Sequence, residues 1–443
     1  MSPEIFTLPY GEDKFILYAP LLRFVSVVNA GAKDAVAKHL NGLPMEESQR
    51  GVIEMLEKHN IFSKEIKPPT LDETFSPTRV TLFSSDCCNL RCQYCYAFAE
   101  DGGNKLSLAA AQGAIDFVAD NAVKKNMKEF GVGFHGNGEP LVAFDIIRHC
   151  CEYTVKTAER LGLKAHISTA TNGVMDEEKL DYLLAWFADV NVSFDILPDI
   201  QNANRPTADG GKSFEQVDNT LKRLNAADMQ FGIRATITAE TVHRLEEMAI
   251  AVKDNYPKCS LFHLEPVALL GRAVVNDSAA PDAKTFVREY VKAQNVLRDT
   301  CTKVVFSGAR QDTLCCCFCS VSQNAFTVTA EGNVTSCYEI CTYNDNRAER
   351  YIYGKFDEKS GRFEFDQNKL DALKKLQVSN MPHCQNCFAK WHCGGDCAAK
   401  VLGLKPVEEH AGSTRCVITR SLIYRQLLEK LGIDTTGIEP VFL

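Results

Sequence analysis

Val80-Thr-Leu-Phe83 followed by Cys88-Asn-Leu-Arg-Cys92-Gln-Tyr-Cys95 joins an apolar β-type run to a polar, cysteine-bearing loop. Three thiolates at x3/x2 spacing can hold three irons of a four-iron cluster and leave the fourth iron open. An open iron admits a small molecule that chelates it through nitrogen and oxygen, whereas a four-cysteine set suits electron storage or structure. The same spacing also serves a zinc knuckle or free buried thiols. Asp86 and Asn89 make the loop polar, and Tyr94 sets an aromatic ring where an adenine can stack.

Outward from this loop, residues 78 to about 270 alternate strand and helix patterns. Strands are predicted over Val80-Phe83, Val132-His135, Ile167-Thr171, Val190-Phe194, Ile233-Ile237 and Phe262-Pro266, with amphipathic stretches such as Leu106-Val123 and Met175-Phe187 between them. Such alternation predicts an α/β fold with a parallel sheet and helical crossovers. Six units predict a partial (β/α)6 TIM-like barrel over residues 76-300, open at the side to a large substrate. The chemically suggestive residues fall at carboxyl ends of strands, where parallel sheets place their ligands.

The CxxxCxxC with an aromatic residue before its third cysteine resembles the signature of the radical S-adenosylmethionine (radical SAM) superfamily. Gly136-Asn-Gly-Glu-Pro140 resembles that family's GGEP segment, with Asn137 replacing a glycine. The resemblance implies that Gly138 and Glu139 hold the methionine amino group of SAM, the glycine by close approach and the glutamate as acceptor. Thr171-Asn-Gly173 ends the following strand, as in relatives. Ser193-Phe-Asp195 and Arg205 resemble the segment in which a serine and an arginine meet the SAM carboxylate, a task suited to the planar guanidinium fork. Here Ile196 stands for the usual glycine, and Gln201-Asn202 for a histidine-aspartate pair. A turn hydroxyl and a solvated charge are the plainer readings of Ser193 and Arg205. Leu264-Glu-Pro266 matches a segment passing the adenine edge.

A second cysteine pattern occupies the last third, predicted as a cysteine-rich domain over 301-443. Cys319 is followed by twelve residues, Gly332, four residues and Cys337; then come Cys384-x2-Cys387-x5-Cys393-x3-Cys397 and Cys416. A 443-residue chain needs no disulfide staples, and the sequence shows no signal peptide, so a reducing, cytoplasmic setting is expected. Paired zinc sites are the alternative to iron-sulfur binding. The spacing resembles the SPASM extension of peptide-modifying radical SAM enzymes, which holds two auxiliary four-iron clusters. The resemblance implies that Cys319, Cys337 and Cys397 serve the first, with an upstream fourth ligand. Cys315, Cys316 and Cys317 all compete for that place; Cys316 is chosen for its x2 spacing to Cys319, and an open site is the other possibility. Cys384, Cys387, Cys393 and Cys416 would serve the second. Most of the other cysteines, Cys87, Cys150, Cys151, Cys259, Cys301, Cys341 and two of the triplet, are read as small buried hydrophobes.

Residues 1-75 read as three short strands, at Phe6, Phe15-Pro20 and Phe24-Val28, then helices at Gly31-Leu40 and Glu46-His59, before a Lys67-Pro-Pro69 linker. This order resembles a winged-helix-like RiPP recognition element, which adds a leader peptide as a strand to its sheet edge. A decorative subdomain is the plainer reading. A net charge of -8 disfavours nonspecific nucleic-acid binding, and no apolar run is long enough for a membrane span.

Together these resemblances imply SAM and three [4Fe-4S] clusters, with an external one-electron reductant of flavodoxin or ferredoxin type. The implied reaction is hydrogen abstraction from a ribosomal precursor peptide, followed by loss of a second electron to an auxiliary cluster and closure of a thioether or carbon-carbon cross-link. The alternative is anaerobic sulfatase-maturase oxidation of cysteine or serine to formylglycine. That family places an aspartate base after the cysteine matching Cys337; here stand Tyr338, a poor base near neutral pH, and then Glu339.

Overall fold

The computed structural model describes residues 4–63, 66–322 and 324–443. Near the amino terminus β1 (Phe6–Tyr10), β2 (Lys14–Ala19) and β3 (Phe24–Asn29) pair antiparallel in that order, and α1 (Ala30–Leu40) and α2 (Glu47–Glu57) follow. The Asn29 side chain accepts the Ala32 N–H, which caps α1. Strand alternation splits β2 between two cores. Leu17 packs with Ala35, Val36, Ile53, Leu56 and Ile61, while Ile16 and Tyr18 join the main core. The Tyr18 hydroxyl pairs with His392, Tyr424 donates to the Pro9 carbonyl (2.6 Å), and the Glu4 carboxylate meets both Lys390 Nζ (2.5 Å) and the Trp391 indole.

Of the predicted segment 1-75, residues 1–3 and 64–65 lie outside the described residues. Phe75, at its end, packs edge-on against Phe326, Tyr353 and Phe365, so these last residues belong with the main sheet.

That sheet is large and mostly parallel. Its parallel run comprises β4 (Arg79–Leu82), β5 (Glu129–Phe134), β6 (Lys164–Thr171), β7 (Asp189–Ser193), β8 (Phe231–Ile237) and β9 (Cys259–Pro266), each paired with the next, with one register shift between β8 and β9 at Phe231/Gly232. The crossovers carry α3 (Leu108–Lys124), α4 (Phe144–Leu161), α5 (Glu177–Trp186), α6 (Pro198–Asn204), α7 (Phe214–Ala226) and α8 (Leu245–Asn255). The longer of these bury apolar residues along one face. On α4 the stripe is Ile146, Ile147, Cys150, Cys151 and Ala158, and Gly162 ends the helix at φ 65°, the left-handed conformation glycine takes without penalty.

The sheet continues past both ends of this six-strand run. After α9 (Arg272–Val275) and α10 (Ala283–Leu297), β10 (Lys303–Val305) adds in parallel to β9. On the opposite side β11 (Thr327–Val328) adds in parallel to β4, and β12 (Asn333–Thr335), β13 (Ile352–Asp357) and β14 (Arg362–Phe365) extend it antiparallel. Eleven strands thus form one open sheet, with β10 and β14 at its edges. β10, β11 and β12, of two or three residues, are too short to show a period, while β13 and β14 are longer and are not among the predicted strands. No helix among the described residues is long and apolar enough to cross a membrane.

Candidate active site

The carboxyl ends of β4 to β9 surround a cavity of about 310 Å³. Cys88, Cys92, Tyr94 and Cys95 line it from the loop after β4, Glu139 from the loop after β5, Ser193 from the end of β7, and Arg205 from the α6–α7 connection. Three thiols spaced along one loop therefore face one space together with the predicted carboxylate, hydroxyl and guanidinium.

Glycine at position 138 is required by the cysteine loop itself. A Cβ there would lie 2.1 Å from the Cys87 carbonyl oxygen, and the Glu139 N–H donates to that same oxygen at 2.8 Å. The Gly138→Ala variant is expected to push the Cys87–Cys88 backbone aside, costing roughly 1–3 kcal/mol as an overpacked site. Thermal denaturation and iron content after anaerobic loading check this; unchanged values for both would contradict the close approach.

Glu139 is buried, and its oxygens accept from Thr171 Oγ1 (2.7 Å), the Asn172 N–H (2.7 Å) and the Leu141 N–H (3.3 Å). Burial pushes its carboxyl up to about 7, and these three donors oppose the rise. Asn172 also reaches Cys88 Sγ (3.8 Å) and Asn89 Oδ1 (2.8 Å), so the Thr171-Asn-Gly173 turn ties Glu139 to the cysteine loop. Burial raises the Cys88 thiol to about 11, with the Glu139 charge adding, and raises Cys92 to about 12.

Arg205 is only 6% exposed, which removes its reading as a solvated charge. Its guanidinium donates to Asp195 Oδ1 (3.2 Å) and sits over the Tyr94 ring at 5.2 Å, while its Nε is buried without a partner. Asp195, fully buried, also accepts from the Tyr94 hydroxyl, Asn204 and the Thr236 N–H. One face of Tyr94 is thus covered by the guanidinium. Ile196 holds φ 67°, a left-handed conformation that is uncommon for a β-branched residue. The chain keeps a glycine's backbone shape there without the glycine. The two other departures also serve this loop: Gln201 accepts the Asp195 N–H and donates to Ser213, and Asn202 accepts the N–H groups of Ser213 and Phe214 at the start of α7.

The side-chain expectation at Leu264 is corrected. Period two turns it into the hydrophobic core, fully buried, and the cavity is lined instead by Glu265 through Ala268. Pattern reading missed His135, Arg234, Thr236, Glu265 and Lys400, all of which line the cavity. Arg234 and Thr236 alternate with Ile233, Ala235 and Ile237, so a polar inward face on β8 was the available signal. His135 has an unpartnered Nδ1, is lowered to about 4 by burial, and stacks on Tyr338 at 4.8 Å. Tyr338 hydrogen-bonds Thr81 (3.0 Å), and Glu339 pairs with Lys400 (3.0 Å). Tyr338 and Glu339 line both this cavity and a second, about 430 Å³, which Cys319 and Cys337 also line.

The cysteines of the last third form two groups. Burial raises Cys337 and Cys397; Cys337 also feels Glu339, Cys397 and Cys319, and Cys397 feels Lys400, which opposes the rise, then Glu339 and Cys319. The predicted fourth member, Cys316, pairs instead with the Cys317 thiol; Cys317 feels Cys319 as well. Cys384, Cys387, Cys393 and Cys416 all line one small space with Asp396 and His410. Among the described residues no three His, Cys, Asp or Glu side chains stand close enough to hold a single metal ion. Of the other cysteines, Cys150, Cys151 and Cys259 are buried as expected, whereas Cys301 is exposed.

Glu265 belongs to a buried network that joins the two halves of the sequence. Arg415 pairs with Glu265 (2.6 Å) and Asp396 (2.9 Å) and donates to Ser307 (2.7 Å), while His263 meets Glu265 at 2.9 Å. Arg415 holds the Glu265 carboxyl well below the usual range against the opposing effect of burial.

Residues 82–251 match the model of the Radical SAM superfamily. Among curated proteins, the chain is 24% identical over 335 residues to a cysteine-type anaerobic sulfatase-maturating enzyme of Clostridium perfringens, covering 71% of this chain and 86% of that one. It is 29% identical over 164 residues to an uncharacterized Methanocaldococcus jannaschii protein, a match spanning 36% of this chain and about half, 53%, of that relative. Among solved structures, native anSMEcpe with bound AdoMet aligns with TM-score 0.57 and 17% identity over 79% of this chain and 96% of that one. Streptococcus suis SuiB bound to the precursor peptide SuiA aligns with TM-score 0.54 and 15% identity over 94% of this chain and 99% of that one. At these identities the structural likeness is one of fold.

Proposed function

We propose that this chain is a radical SAM peptide maturase that oxidises a ribosomally made precursor into a thioether or carbon-carbon cross-linked product. The observation that carries the reading is the convergence of the Cys88, Cys92 and Cys95 thiols with the unpartnered buried Nε of Arg205 in one cavity. Three soft ligands suit a four-iron cluster with one open iron, and a buried guanidinium nitrogen without a partner suits the carboxylate of a chelating nucleotide. When bound, cluster and SAM supply a radical able to remove hydrogen from an unactivated carbon.

The protein's own groups then have separable tasks. Asn172 and Glu139 hold the cysteine loop, Asp195 aims the Arg205 fork, and Ser193 offers a hydroxyl at the cavity wall. Gly138 and Glu139 would receive the SAM amino group, and Tyr94 and the backbone at Leu264 would flank the adenine. The Cys384, Cys387, Cys393 and Cys416 space suits a saturated cluster, and Cys319, Cys337 and Cys397, with a fourth ligand from the Cys315–Cys317 triplet, suit another. An auxiliary cluster in either place can accept the second electron that a cross-link must lose. We assign residues 76-300 to the partial barrel and 301-443 to the auxiliary-cluster domain, and residues 1-75, winged-helix-like in element order, to leader binding along the free edge of β3. An external flavodoxin- or ferredoxin-type protein would deliver the first electron. Peptide-bound structures of both fold neighbours, anSMEcpe and SuiB, support a peptide substrate.

The second reading, formylglycine formation, is favoured by the similarity to the C. perfringens enzyme and by Glu339, whose Oε2 is buried without a hydrogen bond, 3.9 Å from the Arg347 guanidinium, where both cavities meet. Mass spectrometry separates the two. With a precursor peptide encoded beside the gene, SAM and a reductant, a cross-link removes two hydrogens and keeps every sulfur. Formylglycine made from cysteine loses that sulfur, and formylglycine made from serine, also two hydrogens lighter, carries an aldehyde that a hydrazine traps and a cross-link does not. A peptide mass unchanged after complete SAM consumption would overturn both.

A further inference from the structure

We infer that His410 donates an N–H···S hydrogen bond to the auxiliary cluster held by Cys384, Cys387, Cys393 and Cys416, and that this bond raises the cluster's reduction potential. The inference rests on the proposed cluster-binding role of those four thiols.

His410 follows the short Val407–Glu409 turn, is 4% exposed, and lines the same small space as the four sulfurs. Neither of its ring nitrogens has a hydrogen-bond partner. A buried imidazole always carries at least one N–H donor, and leaving that donor unmade costs its full desolvation. Neighbouring polar groups are committed elsewhere. Asp396 accepts from the Cys397 N–H, Ser413 and Arg415; Lys390 Nζ is held by Glu4 and the Gln385 carbonyl; Arg420 donates to the Leu443 carbonyl and to the Cys387 thiol. The His383 ring lies edge-on to His410 at 5.5 Å, which fixes the plane of the His410 ring without occupying its nitrogens. Four thiolates already saturate a four-iron cluster, so the imidazole has no iron to ligate. The Thr419 hydroxyl and the His383 ring line this space as well, but neither hydrogen-bonds a His410 nitrogen, and the four sulfurs are the other acceptors there. Hydrogen bonds to cluster sulfurs stabilise the more negative, reduced state and so raise the potential.

The test compares the full-length, anaerobically loaded protein with its His410→Phe and His410→Gln variants by potentiometric titration followed by electron paramagnetic resonance. Phenylalanine removes the donor; glutamine keeps an N–H. With iron content unchanged, His410→Phe should show about tenfold less reduced auxiliary cluster at a given solution potential, a downward shift of about 59 mV for one electron. His410→Gln should stay nearer the parent. An unshifted potential in His410→Phe at full iron content overturns the inference and leaves the cluster assignment standing, and it would mean that a water satisfies the ring. Loss of the cluster from both variants overturns it too, because the residue would then be structural. A parent protein whose four thiols bind no iron instead defeats the underlying assignment, whatever the variants show.

Discussion

Changing Cys88, Cys92 and Cys95 together to alanine is expected to bring reductive SAM cleavage down to the protein-free background. Iron should fall by about one third, from about twelve to about eight atoms per chain under a three-cluster assignment. The loss should be complete because no other group facing the 310 Å³ cavity offers a soft ligand: its remaining polar lining is His135, Glu139, Ser193, Arg205, Arg234, Glu265, Glu339 and Lys400 beside hydroxyls and an amide. The two other cysteine sets should keep their iron, since neither draws a ligand from residues 88–95. Absorbance and iron assays, with liquid chromatography of the nucleoside product, measure both halves of this result. Cleavage by the triple variant at the parent rate would end the catalytic assignment.

The second large effect is on stability. Arg415→Met should leave the Glu265 and Asp396 carboxylates, 5% and 3% exposed, without their shared cation. Removing one partner of a buried ion pair costs about 3–5 kcal/mol, since the charge left behind is neither solvated nor compensated. A drop in Tm of roughly 6–20 °C follows for a unit of about 150–250 residues. Arg415→Lys should recover only part of it, because an ammonium cannot present one fork to Glu265, Asp396 and Ser307 at once. The pH dependence has a definite sign. Glu265 is depressed in the folded chain, so its contribution is present above the ordinary carboxyl value of about 4.3 and is lost as pH falls through the lower folded value. The difference between parent and Met variant should therefore be flat from about pH 6 to 8 and shrink only in acid. A Met variant melting with the parent would show that water reaches the network.

Sequence pattern revealed the alternating strands and helices because five to eight residues suffice for a period, and it placed the CxxxCxxC and Glu139 at strand ends. It could not reveal β10 or β11, of three and two residues, whose place is set by their neighbours. Nor could it reveal the Arg415 network, since Glu265 and Arg415 are 150 positions apart and each alone looks like a surface charge. Ile196 is a different kind of failure. A glycine was missing from the expected pattern, yet the backbone turned as though it were present, held by Gln201 and the Asp195 hydrogen bonds around it. Leu264 went astray because a motif marks a backbone path while strand alternation decides which side chain enters the cavity.

The pairing of β11 with β4 bears on how the protein is made. Thr81 and its partner Thr327 in that contact are separated by more than half of the chain, so at 5–20 residues per second the ribosome exposes the first cysteine loop roughly 10–50 s before its flanking strand emerges. Throughout that interval one side of β4 is an unsatisfied hydrogen-bonding edge beside three bare thiols. Nascent chains are thus most vulnerable to oxidation and to mispairing before residue 327 has left the tunnel, and anaerobic synthesis with iron-sulfur assembly proteins in supply should raise the soluble yield more than any later refolding step.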